Sequence, residues 1–396
     1  MGPVSLYHFE WDRYHSTLFL VFFSGVRGGI LDRGEDKKGR MRMKAKLTIR
    51  DIARLAGVSK STVSRVLNQS EKVDPATRAR VQQVMEEHGY VPSIAATGLA
   101  GGRNRLIGIT LPSLAWPISL EVIRGIADVV EESPYEIILY GGSDKEKDPR
   151  QVLERVLATH LADGLLTLLH TQMPQKMFEL YEQGFPVVLI NTTAMRVNIP
   201  WVGIDNVAAA RTATRHLLEL GHRRIACVLG AMPFGCIEDR YNGYCQALAE
   251  VGLTPDPELV VSGAFNEAGG AECARKLFAL KERPSAVFVN KDSMAYGFIE
   301  EALRLGWRVP DDIAVVGFDD VSPQNEAPVA LTTINQPFAR MGARGTELLL
   351  ALIEEKYRAL KQGGERGLPV QDITAWQVLL PTQLVVRESC GARRQS

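Results

Sequence analysis

The sequence has 396 residues, of which 45% are hydrophobic and 23% charged, a composition typical of a folded globular protein that excludes a disordered or membrane-embedded chain. This length predicts two or three domains. Acidic and basic residues number 46 each, so the formal net charge of zero identifies no partner and only the distribution of charge is informative.

Residues 1–40 show no convincing periodicity, and we expect residues 1–45 to be a disordered extension or to include sequence that precedes the true start at Met41 or Met43. Its apolar stretch, Thr17–Val26, is only about half as long as the roughly twenty residues of a membrane-spanning helix. A secretory signal is disfavoured because acidic residues stand where a positive n-region belongs. Five cysteines without a C-x-x-C pair add to the prediction of a cytoplasmic protein with no membrane partner.

Positive charge is concentrated directly after this extension. From Met41 to Arg105 there are twelve Lys or Arg against five Asp or Glu, a balance of +7, which leaves −7 for the rest of the chain. A local excess of this size indicates a nucleic-acid partner for this segment.

The segment Leu47–Asn68, LTIRDIARLAGVSKSTVSRVLN, predicts two short helices joined by a tight turn. Thr48 can cap the first helix, and Asp51 three residues later completes a capping box. Gly57 allows the positive φ of the reversal, and Ser59 can cap the second helix. The predicted apolar face of the first helix consists of Ile52, Ala53, Leu55 and Ala56.

The second of these helices is predicted to turn three apolar side chains inward, since Val63, Val66 and Leu67 follow helical spacing. The residues left facing outward are Lys60, Ser61, Ser64 and Arg65. Their side chains form hydrogen bonds with base edges and phosphates. The three-helix core is completed by a third helix that begins at Asp74-Pro75 and ends at His88-Gly89.

From Leu106 onwards apolar runs alternate with amphipathic stretches such as Ser119–Glu132 and Val207–Leu220, which predicts buried parallel strands between helices. This pattern indicates a doubly wound α/β architecture with two lobes. The predicted strands are Leu106–Leu111, Tyr135–Tyr140, Gly164–Leu169, Pro186–Ile190, Arg224–Leu229, Leu259–Val261, Ala286–Val289 and Ile313–Phe318.

Ligands of such folds bind beyond the carboxyl ends of the strands. The carboxylates at those ends are expected to accept hydrogen bonds from hydroxyl groups, and the arginine to donate two hydrogen bonds from its guanidinium group. The aromatic residues are expected to stack on a sugar or a base. We therefore predict a polyhydroxylated or heteroaromatic ligand. The candidate contacts are Asn191, Asp205, Arg240, Lys291, Asp292 and Asp319, with Trp116 and Phe265 as the stacking faces. Each of these residues alone also has a structural interpretation, such as capping for Asp205 and core packing for Trp116.

These segments resemble the LacI/GalR family of bacterial repressors. The matching strings are TIRDIARLAGVSKSTVSRVLN, VDPATRARV and HGYVPSIAATGLAGGRNRLIGI, followed by VGIDN, LELGHRRIA, DRYNGY, VGFDD, LTTINQP and LPTQLVVRES. The resemblance covers nearly everything after residue 46. It implies a helix-turn-helix headpiece, a hinge, and a periplasmic-binding-protein-like core that binds an effector.

The resemblance assigns roles in DNA binding by position. Lys60 and Ser61 correspond to the residues that choose the operator, and Thr62 and Arg65 to more general DNA contacts. Ser64 and Asn68 correspond to phosphate contacts. We also include Thr48 and Ser59, whose capping role is the alternative interpretation.

A hinge at Ser93–Gly101 is expected to fold as a helix only on DNA, because so short a helix is marginal in water. The resemblance implies that Leu99 wedges into the minor groove with Ala96 beside it, which would kink the duplex. Gly98 departs from the family's helix-favouring residue at this position, and this departure predicts a weaker hinge helix.

In the core, the resemblance implies that Arg240 anchors the effector and that Asp319 accepts its hydroxyls. Trp116, Ser119, Cys236 and Gln336 would line the walls. Where the family usually has Asn-Asp, this sequence has Lys291-Asp292. We hypothesise that the effector is anionic, such as a sugar phosphate or sugar acid. The alternative is that Asp319 or Asp292 neutralises Lys291 and the ligand is neutral.

The sequence thus predicts a transcription regulator that binds near-palindromic double-stranded DNA as a homodimer and responds to a sugar-like effector. The resemblance implies a repressor, since repression is the usual outcome in that family. An enzyme is disfavoured, because nucleophile elbow, P-loop, dinucleotide fingerprint and metal-spaced histidines are absent, and we predict no cofactor and no metal. A transport-type binding protein would need a secretion signal and no headpiece.

The expected organisation is an extension (1–45), a DNA-binding domain (46–92), a hinge (93–104), a two-lobed domain (105–390) with crossings near 205 and 333, and a tail (391–396).

Overall fold

The computed structural model describes residues 47–67, 72–90, 103–111, 113–114, 116–141, 154, 156–159, 161–168, 174–191, 198–230, 235–323, 326–363 and 373–392. These residues group into two compact units. The first unit takes its members from 1–108, 134–140 and 153–163, and the second from 109–133, 141–152 and 164–396. None of the helices in the described part of the chain is both long and apolar enough to cross a membrane.

Three short helices open the described chain: α1 (Ile49–Leu55), α2 (Lys60–Leu67) and α3 (Pro75–Glu87). The predicted capping box of α1 is confirmed, since Thr48 and Asp51 each accept the other's backbone N–H. The predicted reversal is confirmed at Gly57, whose φ is +65°. Asp74 caps α3 by accepting the Thr77 N–H at 3.0 Å. Local hydrogen bonds therefore define both helix starts.

The helix-turn-helix core is small. It is built on Ile52 and Val63, both 0% exposed, with Val81 of α3 closing it. The prediction that Leu55 belongs to this core is wrong, because Leu55 is 45% exposed. Ile52, Ala53 and Ala56 define the buried face of α1, and Leu55 projects about 100° away from the centre of that face.

Two six-stranded sheets follow. The first consists of β1 (Leu106–Leu111), β2 (Glu136–Gly141), β3 (Gly164–Leu168), β4 (Val187–Ile190), β5 (Trp201–Gly203) and β11 (Gln377–Leu379), in the spatial order β11-β5-β4-β3-β1-β2. Helices α4 (Pro117–Val130) and α5 (Pro174–Glu182) alternate with these strands. β3, β4 and β5 are consecutive parallel neighbours, and all their residues are buried.

The second sheet consists of β6 (Ile225–Gly230), β7 (Val260–Gly263), β8 (Ala286–Val289), β9 (Ala314–Asp319), β10 (Thr332–Asn335) and β12 (Gln383–Val385), in the spatial order β12-β10-β9-β8-β6-β7. Its helices are α6 (Asn206–Glu219), α7 (Gly235–Glu250), α8 (Glu267–Phe278) and α9 (Asp292–Arg304). The long helix α10 (Phe338–Lys361) follows β10. The predicted α/β architecture with two parallel sheets is confirmed, and β12 adds an antiparallel edge strand that the sequence did not indicate.

The central strands of the second sheet are buried on both faces, as expected for parallel strands covered by helices. Phe288 of β8 and Phe318 of β9 are fully buried and their rings pack edge to face, 6.4 Å apart. Because β6, β8, β9 and β10 run parallel, their carboxyl ends meet at one edge of the sheet. The candidate ligand residues at that edge are therefore brought close together.

Helix α10 packs closely against α4 through positions that lack a side chain. A methyl group at Gly342 would meet the Val122 carbonyl oxygen of α4, and one at Gly125 would meet the Ala339 carbonyl oxygen of α10. At Gly345, farther along α10, a methyl group would meet side-chain atoms and not backbone, namely Ile190 at 3.0 Å and Leu166 at 3.7 Å. The backbone contact of the two helices therefore depends on glycine at 342 and 125.

We expect Gly342→Ala to lower the free energy of unfolding by about 1–3 kcal/mol, because the added methyl group forces two helix backbones apart. The gain of up to about 1 kcal/mol that alanine usually brings within a helix would be outweighed. Scanning calorimetry of the full chain measures the effect. Gly345→Ala, on the same helix, is the control and should cost less. Equal melting temperatures for the two variants would contradict this account of the packing.

Candidate nucleic-acid interface and ligand cavity

Helix α2 presents one polar face to solvent. Ser59, Lys60, Ser61 and Arg65 are exposed, and Ser64 is half-buried. Among the four candidates, Ser61 and Arg65 lie on the side of the helix opposite the buried Val63, and Lys60 and Ser64 lie at its flanks. Long basic side chains and short hydroxyls on an exposed helix face can reach both base edges and phosphates.

The hydroxyl groups at the start of α2 form one local network. Ser59 accepts the Thr62 N–H at 3.1 Å, and its hydroxyl lies 2.7 Å from that of Ser61 and 2.8 Å from that of Thr62. Ser59 is therefore a cap, as the alternative interpretation held, and Thr48 has the same function for α1. Asn68, Ala96 and Leu99 lie outside the described residues.

A polar groove of about 310 Å³ lies between the start of α2 and the start of α3. Arg65 and Lys72 bring positive charge to it, and Asp74 brings one carboxylate that is engaged in capping α3. Lys72 was not among the sequence candidates. Its position beside Arg65 adds a second cation to a surface that can hold a phosphate group.

A second cavity, of about 390 Å³, opens at the carboxyl edge of the second sheet. Its walls are partly aromatic and partly charged. Its lining includes Trp116, Phe265, Lys291, Ser293, Tyr296 and Asp319. Four of these six were candidates from the sequence, and the structure brings all four to one cavity.

Asp319 is the carboxylate of this cavity. It ends β9 with a φ of +124° and is only 6% exposed. Gln336 donates to Asp319 Oδ1 at 2.6 Å, and Arg240 Nη1 lies 3.6 Å from the same oxygen. Burial raises the pKa of Asp319, and the charges of Arg240 and Lys291 act in the opposite direction. Its position and charge allow it to accept hydrogen bonds from hydroxyl groups in the cavity.

Arg240 on α7 lies behind Asp319 and is itself buried. Its Nε donates to Asn206 Oδ1 at 2.9 Å, and its Nη1 donates to the Asn290 carbonyl oxygen. The guanidinium carbon lies 3.6 Å from the centre of the Phe318 ring. Arg240 therefore holds the start of α6 and the ends of β8 and β9 together, and it contacts the cavity through Asp319.

Lys291 follows β8 and lies at the cavity wall. Its Nζ is 4.9 Å from the centre of the Trp116 ring and 4.3 Å from that of the Phe265 ring. The described residues place no carboxylate oxygen within ion-pairing distance of Nζ. Burial lowers the pKa of Lys291, and Asp319 partly offsets that shift. The ammonium group is therefore held mainly by two aromatic faces.

Asp292 is fully buried and is not among the residues that line the cavity. Thr333 donates its hydroxyl to Asp292 Oδ1 at 2.7 Å, and the Val321 N–H donates to Oδ2 at 2.9 Å. Burial, with a further contribution from Asp319, raises the pKa of Asp292 to about 7. Asp292 thus connects α9 to β10 and to the segment after β9, and it influences the cavity through its charge.

The remaining sequence candidates lie off the cavity wall. Asp205 is exposed and caps α6 by accepting the Ala208 N–H at 2.9 Å. Ser119 donates to the Ser113 carbonyl oxygen at 2.7 Å and is fully buried. Asn191 is buried after β4 in the left-handed region with a φ of +53°. Cys236 is half-buried one turn before Arg240 on α7.

Several residues of the site were missed from the sequence. Asn206 holds Arg240, Tyr296 donates to the Val321 carbonyl oxygen at 3.0 Å, and Ser293 lines the cavity. Among the described residues, the Asn290 side-chain amide, the Ser293 hydroxyl and Gln336 Oε1 are buried without a hydrogen-bond partner. Asn290 and Ser293 flank the Lys291-Asp292 pair, and this adjacency is the signal that could have identified them.

Two families of known proteins match this chain. Residues 48–93 match the family described as bacterial regulatory proteins, lacI family. Residues 214–390 match the periplasmic binding protein-like domain. The HTH-type transcriptional repressor CytR of Escherichia coli (strain K12) is 34% identical over 304 residues, which are 76% of this chain and 89% of that protein.

Solved structures show the same similarity. The transcriptional regulator CelR–cellobiose complex is 32% identical, with a TM-score of 0.61, and the match covers 87% of this chain and 99% of that chain. The lac repressor dimer bound to operator and the anti-inducer ONPF is 27% identical, with a TM-score of 0.72 and coverage of 88% and 100%. The similarity therefore extends over nearly the full length of these relatives.

The buried carboxylate of Asp292 gives the stability of the protein a specific pH dependence. Its folded-state pKa lies above its ordinary value of 3.8, so the folded state holds a proton that the unfolded state releases. The resulting stability is present at low pH and is lost as pH rises from about 4 to about 7. Asp319 shifts in the same direction.

In the unaltered protein, the free energy of unfolding should fall between about pH 5 and about pH 7.5, and Asp292 should account for about 2 kcal/mol of that fall. We expect this contribution to be absent from Asp292→Asn. Urea unfolding at the two pH values measures this decrease. Asp128→Asn, on the exposed side of α4, is the matched control and should behave like the unaltered protein. A decrease of the same size in all three proteins would exclude Asp292 as its source.

Proposed function

The chain belongs to the lacI family of bacterial regulatory proteins and is a DNA-binding transcription regulator, and we propose that it is a repressor controlled by a small molecule bound in the 390 Å³ cavity. One observation carries this proposal. The same chain has a helix-turn-helix domain with an exposed basic helix and a cavity that combines two aromatic faces with a buried carboxylate. The members of this family are regulators and not enzymes. This protein is likewise a regulator and not an enzyme.

The DNA-binding part is the helix-turn-helix domain, and α2 is the helix that enters the major groove. Lys60 and Ser61 read base edges there, while Arg65 and Lys72 contact phosphates at the edge of the groove. One such helix covers only one half-site, so the protein acts as a homodimer on a near-palindromic operator. The solved lac repressor is described as a dimer on its operator, and this similarity supports the proposal.

The hinge completes the DNA interface in this proposal. Residues 93–104 connect the two domains, and Ala96 and Leu99 open the minor groove between the half-sites. A hinge helix that forms only on DNA ties the folding of this segment to binding. The effector then controls affinity by favouring or opposing that folding.

The effector is proposed to be carbohydrate-like. The faces of Trp116 and Phe265 suit the CH face of a sugar ring, and Asp319 accepts hydrogen bonds from its hydroxyl groups. Arg240 and Gln336 favour the charged form of Asp319 and orient it. The structure of CelR is described as a complex with cellobiose, which supports a sugar as the class of effector. Such a regulator works in the cytoplasm.

The proposed recognition helix predicts a change in DNA sequence preference without a change in stability. We expect Lys60→Ala and Ser61→Ala to weaken binding to the preferred operator by about 1–3 kcal/mol and to alter the bases that are selected. Both side chains are exposed, so the melting temperature should be nearly unchanged. Selection of bound sites from a random DNA pool measures the preference.

Arg80→Ala removes a charge from an exposed position of α3 and is the matched control. It should leave the selected sequence as it is, because only base contacts specify sequence. If Lys60→Ala and Ser61→Ala select the same sequence as the unaltered protein, α2 is not the recognition helix.

The proposed effector cavity predicts that Asp319→Asn weakens effector binding by about ten- to a hundredfold, because charge-assisted hydrogen bonds to the ligand become neutral ones. Calorimetric titration with a panel of monosaccharides, sugar acids and sugar phosphates measures the affinity. Asp128→Asn is again the control. Equal affinities of the two variants for a compound that binds the unaltered protein would place the binding site elsewhere.

A further inference from the structure

The ammonium group of Lys291 occupies the space in front of two aromatic faces. Its Nζ lies over the Trp116 ring at 4.9 Å and over the Phe265 ring at 4.3 Å, measured to the ring centres. Trp116 comes directly before α4, Phe265 follows β7, and Lys291 follows β8. Three separate segments of the cavity wall therefore meet at one side chain.

An ion pair does not account for this position, although the charge of Asp319 acts on Lys291 from beyond ion-pairing distance. Asp319 Oδ1 already accepts from Gln336 at 2.6 Å and lies 3.6 Å from Arg240. Both oxygens of Asp292 are engaged by Thr333 and Val321. No carboxylate of the described residues forms an ion pair with Lys291. The negative faces of the two rings are its close electrostatic partners.

This position is also the one that a flat ligand would need. A ring that stacks on tryptophan or phenylalanine lies over the ring face, with the two centres about 4.5–7 Å apart. The Lys291 ammonium stands over both faces at similar distances. A ligand ring therefore cannot stack on either face until the ammonium moves.

We propose that Lys291 is a tethered occupant of the stacking position, which an effector displaces efficiently only when its ring carries an anionic group that then pairs with the ammonium. This inference rests on the proposed function, since it assumes that the effector binds in this cavity. It identifies the effector class as sugar acids or sugar phosphates. It also makes Lys291 a specificity-determining residue, for which a neutral sugar has no compensating partner.

The reason is an exchange of partners. Displacement takes the ammonium from two π faces in a partly buried site, and a cation left there without a partner is unfavourable. A carboxylate or phosphate on the ligand replaces those faces with a charge-assisted hydrogen bond. A neutral ligand gains the same stacking area but leaves the ammonium without an equivalent partner.

The test compares matched neutral and anionic ligands. Glucose is paired with glucuronate and with glucose 6-phosphate, and galactose with galacturonate, in calorimetric titrations of the full chain. Lys291→Met removes the ammonium, and Lys291→Gln is a second variant that keeps a polar end. Lys356→Met is the control, because Lys356 also lies over an aromatic ring, 5.6 Å from the centre of Phe185, but does not line the cavity.

We expect the unaltered protein and Lys356→Met to prefer the anionic member of a pair. Both Lys291 variants should lower this preference by about tenfold, because the neutral ligand no longer has to displace a cation and the anionic ligand loses its partner. A gain in affinity for the neutral ligand is the result that distinguishes an occupant from a simple anion contact.

Two different failures can be told apart. If ligands bind but the Lys291 variants keep the same preference as the unaltered protein, or if the neutral ligand loses affinity in them, the inference is wrong and the proposed function stands. If no member of any pair binds to the unaltered protein or to either variant, the proposed class of effector is wrong and the inference fails with it.

Discussion

The buried pair of Arg240 and Asp319 is the interaction on which the ligand cavity depends. Two opposite charges placed in the interior are favourable only when their remaining hydrogen-bonding groups are also satisfied. Here Arg240 donates to Asn206 and to the Asn290 carbonyl oxygen, and Gln336 donates to Asp319. The network ties α6, α7, β8 and β9 to one point. These partners favour the charged form of a carboxylate that is only 6% exposed, and they partly offset the effect of burial.

Strain in the backbone accompanies this arrangement. Asp319 and Asp320 both have positive φ, at 124° and 60°, a conformation that side chains other than glycine adopt at a cost. Asp320 is held by Asn335 at 3.0 Å and by Arg387 at 2.6 Å. These bonds come from β10 and from the segment after β12, so the whole edge of the second sheet maintains the turn that directs Asp319 towards the cavity.

The two functional parts of the molecule are stabilised in different ways. The helix-turn-helix core is small and depends on local caps such as the Thr48 and Asp51 box, which lets α2 leave its polar face to solvent. The second sheet buries long apolar strands and can keep charged groups inside. Gly342 and Gly125 allow α10 and α4 to touch through their backbones. Substitutions on the exposed face of α2 therefore affect recognition, whereas substitutions at the sheet edge affect binding and stability together.

The sequence by itself determined the features that depend on short separations along the chain. Thr48, Gly57 and Asp74 define helix ends through neighbours three or four residues away, and buried parallel strands are continuous apolar runs. The burial of Leu55 was predicted wrongly, because only the packing of three helices decides which side of α1 is buried. Tertiary structure alone decided the partners of Arg240, 34 and 50 residues away, and the position of Lys291 between Trp116 and Phe265. Contacts over such separations form because parallel strands place their carboxyl ends at one edge of the sheet. A local sequence pattern does not show which strands become neighbours.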